Sequence, residues 1–338
     1  MHRLNKWERV LAAARGEQVD RVPMSFWRHH AVQEWSPQSL ADLTLQQFLE
    51  YDLDFIKLTP TGIYPYQDWG PTVRFSRDDR VHPECVDAAV KSSDDWDELL
   101  ALDVNSGALG RELSAIKFLS KGLMGAAPII MTIYSPLQIA RMLCSTSKTR
   151  DRIVEYVRSC PEQLHTGLST IRDVVQAYAL ASLDAGASGI FLASTMATLD
   201  LLTPEEYEEF GSNYDLPVLE SIGAKSELTI FHLCGKNVMF DLIMRYPVDV
   251  LHWNNYALEG PTLKQARQQT KKGLSGGVAV ETLFRGTPED VASEVRLAIA
   301  QTNGTGIILT PNCTINGSTP VENPRALRNA VEDVGKGN

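Results

Sequence analysis

The sequence predicts an α/β protein: a (β/α)8 TIM barrel with extra N-terminal helices and a helical insertion, built as one domain over residues 1–338. Three observations lead there. Eight short β-rich runs recur along the chain, amphipathic helical patterns separate most of them, and no low-complexity stretch or composition break marks a linker. The 338 residues, 43% apolar and 22% charged, can build an ordinary core, which excludes disorder as the main state.

The eight runs come in order at residues 22–26, 55–59, 129–135, 189–193, 228–234, 249–254, 274–279 and 306–310. Each is four to eight residues long and rich in β-branched or aromatic side chains. The long stretch 78–121, between the second and third runs, reads as a helical excursion. Later helices carry their own start signals. Thr203 caps Pro204, Glu205 and Glu206, and Thr287 caps Pro288, after which Val291, Val295 and Ile299 recur every four residues.

In such a barrel, chemistry gathers at the carboxyl ends of the strands. Those ends supply Arg28, His29 and His30, then Lys57 and Thr59, then Tyr134 and Ser135, then Ser194 and Thr195. The later ends supply His232 and Cys234, then His252, Asn254 and Asn255, then Glu281, and finally Cys313.

Charge and cysteine content exclude several classes. Lysine and arginine total 32 against 42 acids, a net charge of −10, which argues against nucleic acid and anionic membranes as partners. Five scattered cysteines without a CxxC pair are no disulfide framework, and the charged start has no apolar signal segment. Residues 124–134 are too short to span a bilayer. A cytoplasmic protein is expected.

His232-Leu233-Cys234 is the most informative tripeptide. Residues two apart on a strand face the same way, so the imidazole and thiol converge while Leu233 faces away. Cys313 lies just past the eighth run. One nitrogen and two sulfurs suit Zn2+, and three protein ligands leave the open position of a catalytic site. The bland alternative is a chance pair, with the cysteines acting as small hydrophobes. Cys85, Cys144 and Cys160 have no ligand pattern beside them. Ser275-Gly-Gly and Asn303-Gly-Thr-Gly read as turns, and neither a Gly-x-Ser-x-Gly elbow nor a His-Glu-x-x-His helix occurs.

Arg9-Val-Leu-Ala-Ala-Ala-Arg-Gly-Glu-Gln-Val-Asp-Arg-Val-Pro, His232-Leu-Cys-Gly, Leu274-Ser-Gly-Gly, Glu281-Thr-Leu-Phe-Arg-Gly-Thr-Pro-Glu-Asp-Val, Pro311-Asn-Cys-Thr-Ile and Thr319-Pro-Val-Glu-Asn together resemble the uroporphyrinogen decarboxylase superfamily. The resemblance implies a (β/α)8 barrel. It also implies a choice of chemistry. The decarboxylases are metal-free and carry Arg-Gln-Ala-Gly-Arg after the first strand, where this chain has Arg28-His29-His30-Ala31-Val32. They also have a histidine where Cys313 stands. The other branch, similar to methylcobalamin:coenzyme M methyltransferases, holds zinc on three ligands that match His232, Cys234 and Cys313.

This branch implies methyl transfer between a methyl-corrinoid (methylcobalamin), carried by a separate corrinoid protein, and a small thiol, in one-carbon or demethylation metabolism. Arg28 and Lys57 are the candidate substrate-binding residues, Tyr134 and Ser194 the cofactor-binding ones, and His30, Glu281 and Asn254 the catalytic ones. Relatives often place an acid after the sixth strand, where this chain has Trp253-Asn254-Asn255, so water or Glu281 is the expected fourth ligand. His252 and Trp253 have packing as an alternative reading. The resemblance implies a monomer or a homodimer. The rival expectation is a metal-independent decarboxylase acting on a small acid, with His232 as proton donor and Arg28 as clamp. A corrinoid-binding scaffold is disfavoured, since no Asp-x-His-x-x-Gly signature is present.

Overall fold

The computed structural model describes residues 3–78, 81–146, 149 and 151–336. β1 (Ile56–Leu58) is followed by a small antiparallel ribbon, β2 (Thr72–Arg74) with β3 (Glu84–Asp87). Then come β4 (Ile129–Tyr134), β5 (Gly189–Ser194), β6 (Leu228–Leu233), β7 (Val250–Trp253), β8 (Gly273–Val278) and β9 (Ile307–Pro311). Apart from the ribbon, these strands pair in parallel in the order β1-β4-β5-β6-β7-β8-β9. Sequential parallel neighbours need crossover helices, and the apolar periodicity supplies them.

The helices are α1 (Lys6–Ala14), α2 (Pro37–Glu50), α3 (Gly107–Leu123), α4 (Pro136–Cys144), α5 (Arg152–Ser159), α6 (Pro161–Asp184) and α7 (Pro204–Tyr207). They continue with α8 (Asn213–Ile222), α9 (Phe240–Ile243), α10 (Leu263–Gln269), α11 (Val280–Arg285), α12 (Pro288–Thr302) and α13 (Glu322–Lys336). Both predicted caps are present. Thr203 and Thr287 each accept a hydrogen bond from the amide of the third helical residue, whose carboxylate in turn accepts one from the backbone amide of the cap. No described helix is long and apolar enough to cross a membrane.

Two expectations are corrected. Residues 22–26 do not form a regular ladder strand, because Pro23 lacks the amide that a ladder needs. The segment still closes the ring. Ser25 N donates to Leu309 O (3.0 Å) and Leu309 N to Pro23 O (2.9 Å) on one side, while Asp54 N donates to Met24 O (2.9 Å) on the other. The stretch 78–121 is helical only in α3 and a short turn at Asp94–Trp96. β3 occupies its first part, and Asp79 and Arg80 lie outside the described residues.

Strand alternation sorts the core into two layers. Ile130, Phe191, Ile230, Val250 and Ile308 form one cluster inside the ring with Trp27, Phe55 and, from α1, Val10, Ala13 and Ala14. The opposite faces pack against the surrounding helices. Continuing the inward phase by two residues per step brings Thr132 and Tyr134, Ala193, His232, His252 and Thr310 toward the carboxyl end of the barrel.

Candidate metal centre and its cavity

His232 is buried as the last inward residue of β6, two steps above Leu228 through Ile230. Cys234 follows directly, its amide donating to Ser194 O at 2.9 Å, which extends the β5–β6 pairing by one residue. Cys313 arrives from the far side of the ring, two residues past the end of β9. The ligand atoms of His232, Cys234 and Cys313 lie within 4.8 Å of one another, and this is the one cluster of its kind among the described residues.

A tetrahedral zinc with bonds of about 2.0–2.3 Å spaces its ligand atoms roughly 3.5–3.8 Å apart, so the donor set fits that ion in size as well as in chemistry. The sulfurs already behave as a pair. The Cys234 thiol donates to Cys313, which, with help from His232, holds the Cys313 thiol well below its ordinary value. The same shared proton, with burial, pushes Cys234 up. One sulfur is therefore held as the anion that a metal requires.

These three residues form one wall of a cavity of about 200 Å³. Trp27 and Phe191 form another, and between them lies Lys57, its Nζ 4.8 Å from the Trp27 ring and 4.4 Å from the Phe191 ring. Burial pushes the Lys57 amine down to about 7, partly opposed by Cys313. Its hydrogen bond goes to Thr59 Oγ1 at 3.2 Å. Tyr134, Ser194 and His29 also line the space. Burial, then Cys234 and Cys313, push the Tyr134 phenol up, so it stays protonated. The Ser194 hydroxyl is committed to the Met196 amide at 3.1 Å and shapes the wall.

Other sequence-derived candidates fall elsewhere. Arg28 donates through Nε to His30 Nε2 at 3.3 Å, and neither residue lines the cavity. Glu281 is exposed on α11 and ion-paired with Arg285 at 3.0 Å, so the structure does not bring it to the cysteines. Asn254 Oδ1 accepts from Asn312 Nδ2 at 2.7 Å and from the Tyr256 amide at 3.2 Å. It ties the loop after β7 to the residue before Cys313, and it does not face the cavity. Asn312 Oδ1 in turn accepts from the Val280 amide at 3.0 Å. At Gly276 the backbone has φ +143°, and a Cβ there would meet Asn255 Oδ1 at 2.7 Å; glycine lets β8 pass close to this side chain, which accepts from the Gly277 amide at 3.0 Å.

Sequence reasoning missed Trp27 and Phe191 as cavity walls, although Phe191 shares the inward phase of Ala193. It also missed the partnership of two histidines. His232 and His252 are register partners on β6 and β7, with Nδ1 to Nδ1 at 2.6 Å, and His252 Nε2 meets Pro311 O at 2.9 Å.

The chain is 26% identical over 247 residues to methylcobamide:CoM methyltransferase MtbA of Methanosarcina acetivorans, covering 72% of this chain and 69% of the relative. It is also 26% identical over 241 residues to uroporphyrinogen decarboxylase of Hydrogenovibrio crunogenus, covering 65% and 66%. Among solved structures, a methyltransferase from Methanosarcina mazei superposes with a TM-score of 0.83 over 98% of this chain and 99% of that one, a likeness of fold at 22% identity. The family model of uroporphyrinogen decarboxylase (URO-D) matches residues 5–334, and with a match spanning nearly its whole length the chain belongs to the uroporphyrinogen decarboxylase family.

Proposed function

We propose that the protein is a zinc-dependent methyltransferase that moves a methyl group between a methyl-corrinoid, carried by a separate protein, and a small thiol. The observation that carries this reading is the convergence of His232, Cys234 and Cys313 on the wall of a cavity sized for a small molecule. Relatives named as methylcobamide:CoM methyltransferases support the corrinoid and thiol parts of it. Zinc held by these three side chains would supply an open position at which a thiol binds as its thiolate, the reactive form at neutral pH.

The chain's own residues do the rest. Two thiolates and a neutral imidazole balance a dication, so the acceptor sulfur keeps its electron density. Lys57, with a pKa near neutrality, lines the same cavity and offers the acceptor's tail a proton or a charge. Trp27 and Phe191 exclude water from the space between. The protonated Tyr134 phenol lines the same cavity as the two cysteines and can donate a hydrogen bond into it. Free thiols at the centre suit a reducing, cytoplasmic setting.

The metal-independent decarboxylase reading loses its clamp, since Arg28 is engaged with His30 outside the cavity. The two readings separate in one experiment. About one zinc per chain should co-purify, Cys234→Ala and Cys313→Ala should each remove most of it, and Cys144→Ala, deep in the core, should not. Methylcobalamin should then lose its methyl group in the presence of a small thiol, read from the corrin absorbance, and a chelator should stop the reaction. Turnover unaffected by chelation or by loss of Cys313 would overturn the proposal.

A further inference from the structure

We infer that His252 is a positioning residue that makes His232 donate from Nδ1, leaving Nε2 as the nitrogen of His232 that a metal would take. The inference depends on the zinc reading only in the second part of its test.

The hydrogen bonds dictate it. Pro311 O has no hydrogen to give, so the 2.9 Å contact requires His252 Nε2 to donate. His252 is wholly buried, its two nitrogens meet only a carbonyl and an imidazole, and no carboxylate bonds to it among the described residues, so a charged ring there would have no counter-ion beside it. A neutral ring protonated at Nε2 has an accepting Nδ1. The nitrogen 2.6 Å away, His232 Nδ1, must then donate, which leaves Nε2 as the nitrogen that bonds Cys313 and that a metal would take.

The rings have little freedom to escape this arrangement. Their strands hold them side by side in register, Phe191 packs 5.2 Å from the His232 ring and 5.4 Å from the His252 ring, and Trp27 lies 5.5 Å from His252. The relay also ends on a meaningful atom. Pro311 closes β9 two residues before Cys313, so one chain of hydrogen bonds fixes the imidazole of β6 relative to the strand that delivers the second sulfur. A residue that only filled space would have no need of two polar atoms aimed at these two partners. Neutral histidine ligands elsewhere gain orientation and basicity from such an outer partner.

The test has two parts. Metal-free native protein labelled with 15N-histidine should show, in long-range proton–nitrogen spectra, His232 protonated at Nδ1 and His252 at Nε2, with His252→Phe identifying the His252 signals. A His232 whose Nδ1 carries no proton, or a ring averaging between both tautomers, would overturn the inference. In competition against a chromophoric chelator, His252→Phe, which keeps a ring of similar size, should bind zinc about 10–100-fold more weakly. His252→Gln keeps an amide N–H for Pro311 and a carbonyl for His232, and it should recover most of that loss. Equal affinity in the Phe variant, or a Gln variant as weak as Phe, would reduce His252 to packing and defeat the idea. If native protein took up no zinc at all, the proposed function would fall, whereas the spectra alone would still decide the tautomer.

Discussion

Lys57 brings burial and function into conflict at a single side chain. Its amine titrates at about 7 in the folded protein against an ordinary 10.5, because burial penalises the charged form. Between those two values the unfolded chain binds the extra proton, so stability should rise with pH from 7 to 10.5, and below 7 the full penalty applies. Lys57→Met should therefore raise urea stability at pH 6 by on the order of 2–4 kcal/mol, with the gain gone near pH 10.5. It should also slow methyl transfer, as a residue kept at such a cost would. No gain at pH 6 would mean that the two aromatic rings fully satisfy the cation. The residue scale is also where the sequence was most unevenly legible. His232 and Cys234 could be read because a period of two is a property of any strand, and Cys313 because it follows the next such run but two. Glu281 and Asn254 could not be placed, because a position after a strand does not reveal which way the loop turns. His252 was visible only as a strand residue; its role depends on the register between two strands, which the spacing of one strand does not contain.

At the scale of elements, what is local was legible and what is non-local was not. The caps at Thr203 and Thr287 involve three or four consecutive residues, and both form as the sequence suggests. Thr287→Ala should cost about 1 kcal/mol in chemical denaturation and leave the zinc site unchanged, since α12 packs outside the ring. A loss of metal in that variant would show that the helix transmits strain to Cys313. The ribbon of β2 and β3 was missed because its strands lean on each other across nine intervening residues, with neither run apolar enough to stand out. The run at 22–26 was found, but its ladder was overestimated, since the sequence shows the β-rich run and Pro23 alike while the cost of the missing amide emerges only beside a neighbour.

For the molecule as a whole, closure of the ring relies on charge where backbone bonds are few. Asp54, fully buried just before β1, receives Arg9 at 2.9 Å, Arg21 at 2.6 Å and the Met24 amide at 2.9 Å, tying α1, the first stave and the second together. Asp54→Asn leaves two guanidinium groups short of their countercharge and should cost about 3–5 kcal/mol, read as a lower urea midpoint. A change below about 1 kcal/mol would show that Asp20, which also holds Arg9, suffices. The Arg9, Asp20 and Arg21 of this clasp all fall in the opening segment that resembles the family; the closed barrel could be foreseen from the eight β-rich runs, but these closing bonds could not. The cavity of about 200 Å³ has a consequence of its own, in the timing of events. A corrin macrocycle is far larger than that space, so under the proposed reaction it can only cover the mouth. The small thiol must then enter before the carrier arrives and its methylated product must wait until the carrier leaves. Turnover would follow a compulsory sequence, and an excess of demethylated carrier would slow it by keeping the door shut.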